Sequence, residues 1–265
     1  LSIPHPSAAE LRGIALAAPT SLARTLRFDG NDPRHFDAPA PHSTALQVGG
    51  FKGEVALGAS CNCRAITLVP HCHGTHTETA AHLTLEPLDA CETAPRGLVP
   101  GWLVSVAAVA AETSGEDSDP PPQPGDRLLT RAALLAAWRG IPGFTPRALI
   151  VRAAGDPATF FSRQAVALLV ERGIEHLVVE LPSIDRGHDG GVLCGHRLFF
   201  GLPAGSTRLA EARRAQCTIT EFAEVPPELA DGPCFVQLAM PRIAGDAVPS
   251  QPLYFPLGPG AGDST

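Results

Sequence analysis

Ala148-Leu-Ile-Val151, then Ser162 leading into Gln164-Ala-Val-Ala-Leu-Leu-Val-Glu-Arg172 and Gly173, then His176-Leu-Val-Val-Glu-Leu181 form the most informative stretch of this chain. The first and last segments are short, apolar and rich in branched side chains, as strands buried on both faces are. The middle segment opens on a serine able to accept a hydrogen bond from the first helical turn. It closes on a glycine, so it carries the start and stop signals of a helix. Strand, helix, strand in that order requires two parallel neighbours joined by a crossover. Part of the sheet is therefore parallel, and the fold class is α/β with a mixed sheet.

Working outward, Thr130 caps a second helix over Arg131–Arg139, and Gly140 follows it. Trp102 to Val109 reads as a buried strand. Ala45 to Val48 and Ala65 to Val69 read as strands of one sheet, separated by Gly49-Gly50 and a run of small residues. Glu112 to Gly125 is rich in proline, serine and aspartate and reads as an exposed loop. The first forty residues are rich in proline, histidine and alanine. They predict an N-terminal arm over residues 1–44, followed by a single domain over 45–265. No internal repeat is visible, which argues against a solenoid or propeller.

Composition narrows the function classes. With 265 residues, 44% hydrophobic and 18% charged, the chain is long enough for one large compact domain or two small ones, and disorder throughout is excluded. Lys and Arg number 20 against 27 Asp and Glu, giving −7 with no basic run, so no nucleic-acid partner is expected. A small-molecule substrate fits better. The longest apolar stretches, such as Trp102 to Ala111, fall short of the roughly 18 residues of a membrane span, so no membrane partner is expected. Seven cysteines, an odd number in a chain large enough to build a core without staples, favour a reduced, cytoplasmic setting. There is no Gly-x-Gly-x-x-Gly, Gly-x-Ser-x-Gly or His-Glu-x-x-His, and Cys61-Asn-Cys63 has the wrong spacing for a zinc clasp.

The strongest chemical signal is His71-Cys-His-Gly-Thr-His-Thr-Glu-Thr-Ala-Ala-His82, with four histidines and a glutamate in twelve residues. Imidazole and carboxylate are the donors that borderline divalent metals prefer. On an extended backbone His76 and Glu78 share a face, while His71 or Cys72 must curl back through Gly74 to join them. His82 falls one turn later if a helix starts near Thr79, close to a metal without having to bind it, where a general base belongs. His73 points away from its neighbours and reads as structural.

The spacing of Gly74-Thr75-His76, Glu78 and His82 resembles the H-x-G-T-H-x-D-x-P-x-H signature of the metal-dependent cyclase family. That family includes bacterial-type kynurenine formamidases (arylformamidases) and isatin hydrolase. Cys72 stands where the first histidine of the signature falls, Glu78 replaces its aspartate and Ala80 its proline. His176–Arg186 with its Pro182-Ser-Ile-Asp185 turn, Asp189-Gly-Gly, His196 and Thr218-Ile-Thr-Glu221 is similar to the family's later site segments, so the resemblance spans roughly Ala45 to Leu257.

The resemblance implies the family's α/β/β fold, a mixed sheet or flattened β-barrel with flanking helices, and a homodimer or homotetramer. It also implies metal ligands at His76, Glu78, His196 and Glu221, a first-position ligand at His71 with Cys72 as its competitor, and His82 as the base. The cofactor is then a divalent metal, zinc before manganese, as one or two ions. Asp185 and Asp189, set among glycine and serine, read as turn residues.

The implied reaction is hydrolysis of an amide, formamide or cyclic amide, a C–N bond other than a peptide bond. His82 takes the proton of a metal-acidified water and returns it to the leaving nitrogen. The alternatives are a cyclase or lyase of the same family and a non-catalytic metal- or ligand-binding homologue. Phe28, Phe36, Phe160, Phe161, Phe199 and Phe200 are the candidates for pocket walls.

Overall fold

A computed structural model describes residues 19–138, 140, 143–153 and 158–257. The chain divides into two compact units, one of Thr25–Gly74 and one of Leu1–Arg24 with Thr75–Thr265. Of the expected N-terminal arm, residues 1–18 lie outside the described residues, as does Arg139 at the end of the expected second helix.

β1 (Thr20–Ser21) opens the described chain. The unit of residues 25–74 holds β2 (His42–Ala45), β3 (Gln47–Val48), β4 (Phe51–Lys52) and β5 (Arg64–Thr67), and then a single helical turn at Pro70–His73. β2 pairs with β5 and β3 with β4, both antiparallel, in two separate two-stranded ribbons. The expectation that 45–48 and 65–69 are strands of one sheet is therefore corrected. Leu46 donates its N–H to Cys63 and accepts from Gly53, and this break in the ladder splits the run into two short strands.

The larger unit continues with β6 (His76–Glu78), β7 (Val99–Ser105), β8 (Val109–Ala110), β9 (Arg127–Leu129), β10 (Ala148–Arg152) and β11 (Thr159–Phe161). It ends with β12 (His176–Val179), β13 (Thr218–Glu221), β14 (Gly232–Ala239), β15 (Ala247–Pro249) and β16 (Gln251–Pro256). Nine of these strands make a mixed sheet in the order β1-β16-β14-β7-β10-β12-β13-β6-β15, and β11-β9-β8 make a small second sheet. β7, β10, β12 and β13 run parallel at the centre. Antiparallel strands flank them on both sides.

The strand–helix–strand reading holds. β10 and β12 are parallel neighbours in register from Ala148↔His176 to Val151↔Val179, with the helix Arg163–Glu171 between them in sequence. Ser162 Oγ accepts the Ala165 N–H and Thr130 Oγ1 the Ala133 N–H, so both expected caps are made. The helix Arg131–Ala137 ends two residues before the expected Arg139. The buried strand expected over 102–109 is shifted: β7 covers 99–105, and Val109 and Ala110 join the small sheet instead. Within the expected loop, Glu116 accepts hydrogen bonds from Arg131 N, Ala132 N and Ser162 Oγ, which ties the loop to the starts of both helices.

Strands β10 and β12 are mostly apolar because both their faces are covered. Leu149, Val151, Leu177 and Val179 pack with Leu134, Leu168, Leu169, Phe199 and Phe200 on the helical side. Ala148, Ile150 and Val178 pack with Leu22, Leu103, Val236 and Tyr254 on the other. Each such leucine or isoleucine contributes about 1.5–3 kcal/mol when fully buried. Among the described residues no helix is long and apolar enough to cross a membrane.

Candidate metal centre

Directly paired residues of adjacent strands point to the same face of a sheet. β6 lies antiparallel to β13, with Glu78 opposite Ile219 and His76 opposite Glu221. Ile219 belongs to the helix-side core, so His76, Glu78 and Glu221 all face that side. They sit where parallel β13 ends, the end of an open α/β sheet at which sites gather.

The helix Cys194–Phe200 brings His196 to the same point. Its Nε2 lies 2.8 Å from Glu78 Oε1 and 3.4 Å from Glu221 Oε1. Glu221 Oε2 faces His76 Nε2 at 3.6 Å, and its Oε1 accepts the Ile184 N–H at 2.7 Å, so this carboxylate stands between two imidazoles with a fixed orientation. All four side chains are 5% exposed or less. Phe222, next after Glu221, and Leu193, just before the helix, both take positive φ without being glycine. Such strained backbone concentrates at functional sites.

Asp185 holds His196 from behind. Its Oδ2 accepts from His196 Nδ1–H at 2.6 Å and from the His196 backbone N–H at 3.0 Å, while Oδ1 accepts the Gly195 N–H at 2.6 Å. A Cβ on residue 195 would stand 3.0 Å from Asp185 Oδ1, so glycine there permits the carboxylate's close approach. With Nδ1 committed to Asp185, Nε2 is the ring nitrogen turned toward Glu78 and Glu221, in the arrangement of a carboxylate–histidine–metal triad. Read from sequence as a turn residue, Asp185 instead reaches eleven residues along the chain. Asp189 does behave as a turn residue, accepting from Gly191 N and Leu193 N.

The electrostatics point the same way. Burial alone depresses the His196 pKa, but the charges of Glu78 and Glu221 and the hydrogen bond to Asp185 outweigh it and hold the imidazole well above its ordinary value. Burial raises Glu221, His196 and His76 more than offset that, and Glu78 opposes them, leaving the carboxyl below its usual range. Two buried carboxylates side by side call for positive charge. Glu78, His196 and Glu221 each offer one ligand atom, all within 4.8 Å of one another, a donor set that fits a divalent cation.

His82 follows on the 3₁₀ turn Ala80–Leu83, which Thr79 caps by accepting the Ala81 N–H. Its ring centroid lies 5.7 Å from that of His196, and its Nδ1 is 3.5 Å from Asp246 Oδ2. Sequence reading missed Asp246, whose short Gly245-Asp246 setting looks like any turn.

The other unit contains His71, Cys72 and His73, all in the turn Pro70–His73, after which Gly74 is fully extended. His73 is structural, as expected: Nδ1 accepts the Val69 N–H and Nε2 donates to the Pro39 carbonyl. Cys72 is half-buried, and that burial raises its thiol pKa. Of the expected pocket-wall phenylalanines, Phe160, Phe161, Phe199 and Phe200 are core residues 2% exposed or less, which removes them from that role.

Fold and site together define a mixed α/β protein with a buried imidazole–carboxylate centre at the ends of its parallel strands. The sequence matches the Cyclase family model, described as "Putative cyclase", over residues 14–186, and the chain belongs to that family. The matched span includes the His71–His82 motif and Asp185 but stops before His196 and Glu221.

Solved structures share the fold. An isatin hydrolase bound to the product analogue thioisatinate is 14% identical, with TM-score 0.60, covering 93% of this chain and 94% of its own. A "potential metal-dependent hydrolase with cyclase activity" is 16% identical, with TM-score 0.57 and coverage of 91% and 99%. Isatin hydrolase A from Ralstonia solanacearum is 17% identical, with TM-score 0.56 and coverage of 96% and 99%. At such identities the likeness is one of fold. A comparison with curated proteins finds no match.

Proposed function

We propose that this protein is a metal-dependent hydrolase that opens an amide, formamide or cyclic amide, in the manner of an arylformamidase or a cyclic-amide hydrolase. The observation that carries the reading is the buried triangle of Glu78, His196 and Glu221 with Asp185 fixing the histidine. The names of proteins sharing the fold, isatin hydrolase and metal-dependent hydrolase, support it. Glu78, His196 and Glu221 would hold one ion, zinc before manganese. His76 is assigned to the same centre, and His71 takes the first ligand position by its place in the sequence motif. A bound divalent ion supplies Lewis-acid polarisation of a carbonyl and acidifies water.

The remaining chemistry belongs to side chains. Asp246 beside Nδ1 favours the tautomer that keeps the His82 proton there, which leaves Nε2 to accept a proton. That proton then passes to the leaving nitrogen.

The test is elemental analysis of the protein and of His76→Ala, beside a hydrolysis screen of formamides and lactams. Stoichiometric zinc or manganese, reduced in the variant with activity following it, is expected. In His82→Ala the metal should stay while turnover drops by roughly 10²–10⁴-fold. No metal after reloading would sink the proposal.

A further inference from the structure

The segment Thr75-His-Thr-Glu-Thr79 places His76 and Glu78 on one face of the extended chain and three threonines on the other. All three threonines are buried. Each hydroxyl is engaged by a different part of the unit. Thr75 donates to the Phe222 carbonyl at 2.7 Å and accepts the Arg24 N–H at 2.9 Å. Thr79 donates to the Leu88 carbonyl at 2.8 Å and caps the turn that carries His82.

Thr77, between the two donors, gives its proton to Ser250 Oγ at 2.8 Å and lies 2.7 Å from Thr220 Oγ1. A hydroxyl has one proton, so in the second contact Thr220 is the donor. The hydroxyls therefore run in one direction, Thr220 to Thr77 to Ser250.

Nothing about strand formation asks for this arrangement. Valine has the same shape, suits a buried strand at least as well and leaves no polar atom to satisfy. β6, however, is three residues long and is held by three residue pairs on each side. A slip of one residue would turn both His76 and Glu78 to the wrong face. Thr220 stands directly opposite Thr77 and next to Glu221, and Ser250 forms the corner between β15 and β16.

We infer that Thr77 is a positioning residue of the centre: its hydroxyl chain locks His76 and Glu78 in register and at fixed spacing against Glu221. The inference rests on reading the site as a metal centre.

The test uses Co(II) as probe in wild type, Thr77→Ser, Thr77→Val and the double variant Thr77→Val/Thr220→Val, recording the visible spectrum, Co(II) affinity and Tm. Thr77→Ser should keep the wild-type spectrum. Thr77→Val should change it and bind Co(II) about 10-fold more weakly, the scale of lost support behind a ligand. The double variant no longer strands the Thr220 hydroxyl and should regain Tm while keeping the altered spectrum. A wild-type spectrum and affinity in Thr77→Val would overturn the inference. So would a double variant that regains spectrum and Tm together, since Thr77 would then merely satisfy Thr220. A wild type that takes up no Co(II) would instead overturn the metal reading itself, and the inference with it.

Discussion

Two buried residues show how far a side chain's type betrays its role. Asp185 was illegible as a site residue because an aspartate after Pro182-Ser-Ile184, with glycines close behind, satisfies every rule for a turn. Its partner His196 lies eleven residues on, beyond any local pattern. The strength of its hold is nevertheless testable. Asp185→Asn keeps the shape but can turn an amide N–H toward Nδ1, disturbing the tautomer that aims Nε2 at the centre. Metal affinity, measured by competition with a chelator, should fall 10- to 100-fold with the fold intact by circular dichroism. Unchanged affinity would reduce Asp185 to a helix cap. His176 is the converse case, a histidine with no part in the centre. Its burial pushes the pKa down to about 4 from 6.5, Glu175 opposing and Arg147 assisting, while its Nδ1 contacts Thr218 Oγ1. Between pH 6.5 and 4 the unfolded chain binds a proton that the folded chain refuses. Stability therefore falls as pH falls through that window, with no contribution above 6.5 and a full loss below 4. The total is about 3 kcal/mol. Urea titrations at pH 7 and pH 4 should show that much more loss in wild type than in His176→Gln, and equal losses would mean that the folded imidazole protonates normally.

Elements were legible where one local signal sufficed. Ser162 and Thr130 announce helices because a cap is a contact within four residues, and both contacts are made. The parallel pairing of β10 with β12 follows from chain order and handedness alone. The antiparallel flanks were not legible, because β14 and β16 carry Pro233, Pro252 and Pro256 and lack a clean alternation. Nor was the helix Cys194–Phe200, which has no Ser, Thr, Asp or Asn at its start. Its first N–H groups are satisfied instead by Asp185 from another segment. The motif His71–His82 shows both limits. The alternation that puts His76 and Glu78 on one face is local and could be read. The partners of Thr75, Thr77 and Thr79 on the opposite face come from Phe222, Thr220, Ser250 and Leu88, which no spacing in the motif announces.

At the scale of the molecule, the unusual region is residues 25–74. Among the described residues, seven of the eleven large hydrophobic side chains left exposed fall there: Phe36, Leu46, Val48, Val55, Leu57, Ile66 and Val69. All four residues of β5 and both of β3 are exposed. A two-stranded ribbon is at best marginally stable in water without cover, and its open edges invite further pairing. Charge bears on what could cover it. Arg27, Arg34, Lys52 and Arg64 balance Asp29, Asp32, Asp37 and Glu54, so this unit is neutral in a chain of net charge −7. Two copies meeting through it avoid the repulsion that the rest of their surfaces would impose. The expected outcome is a homodimer: light scattering at micromolar concentration should give twice 27.6 kDa. Replacing Leu57 and Ile66 together by serine should shift the mass toward one chain while the far-ultraviolet spectrum is kept, because both side chains are exposed and neither holds up the core. A wild-type protein that stays at 27.6 kDa throughout would mean that these ribbons are stable uncovered, and that the neutral apolar surface has some other purpose.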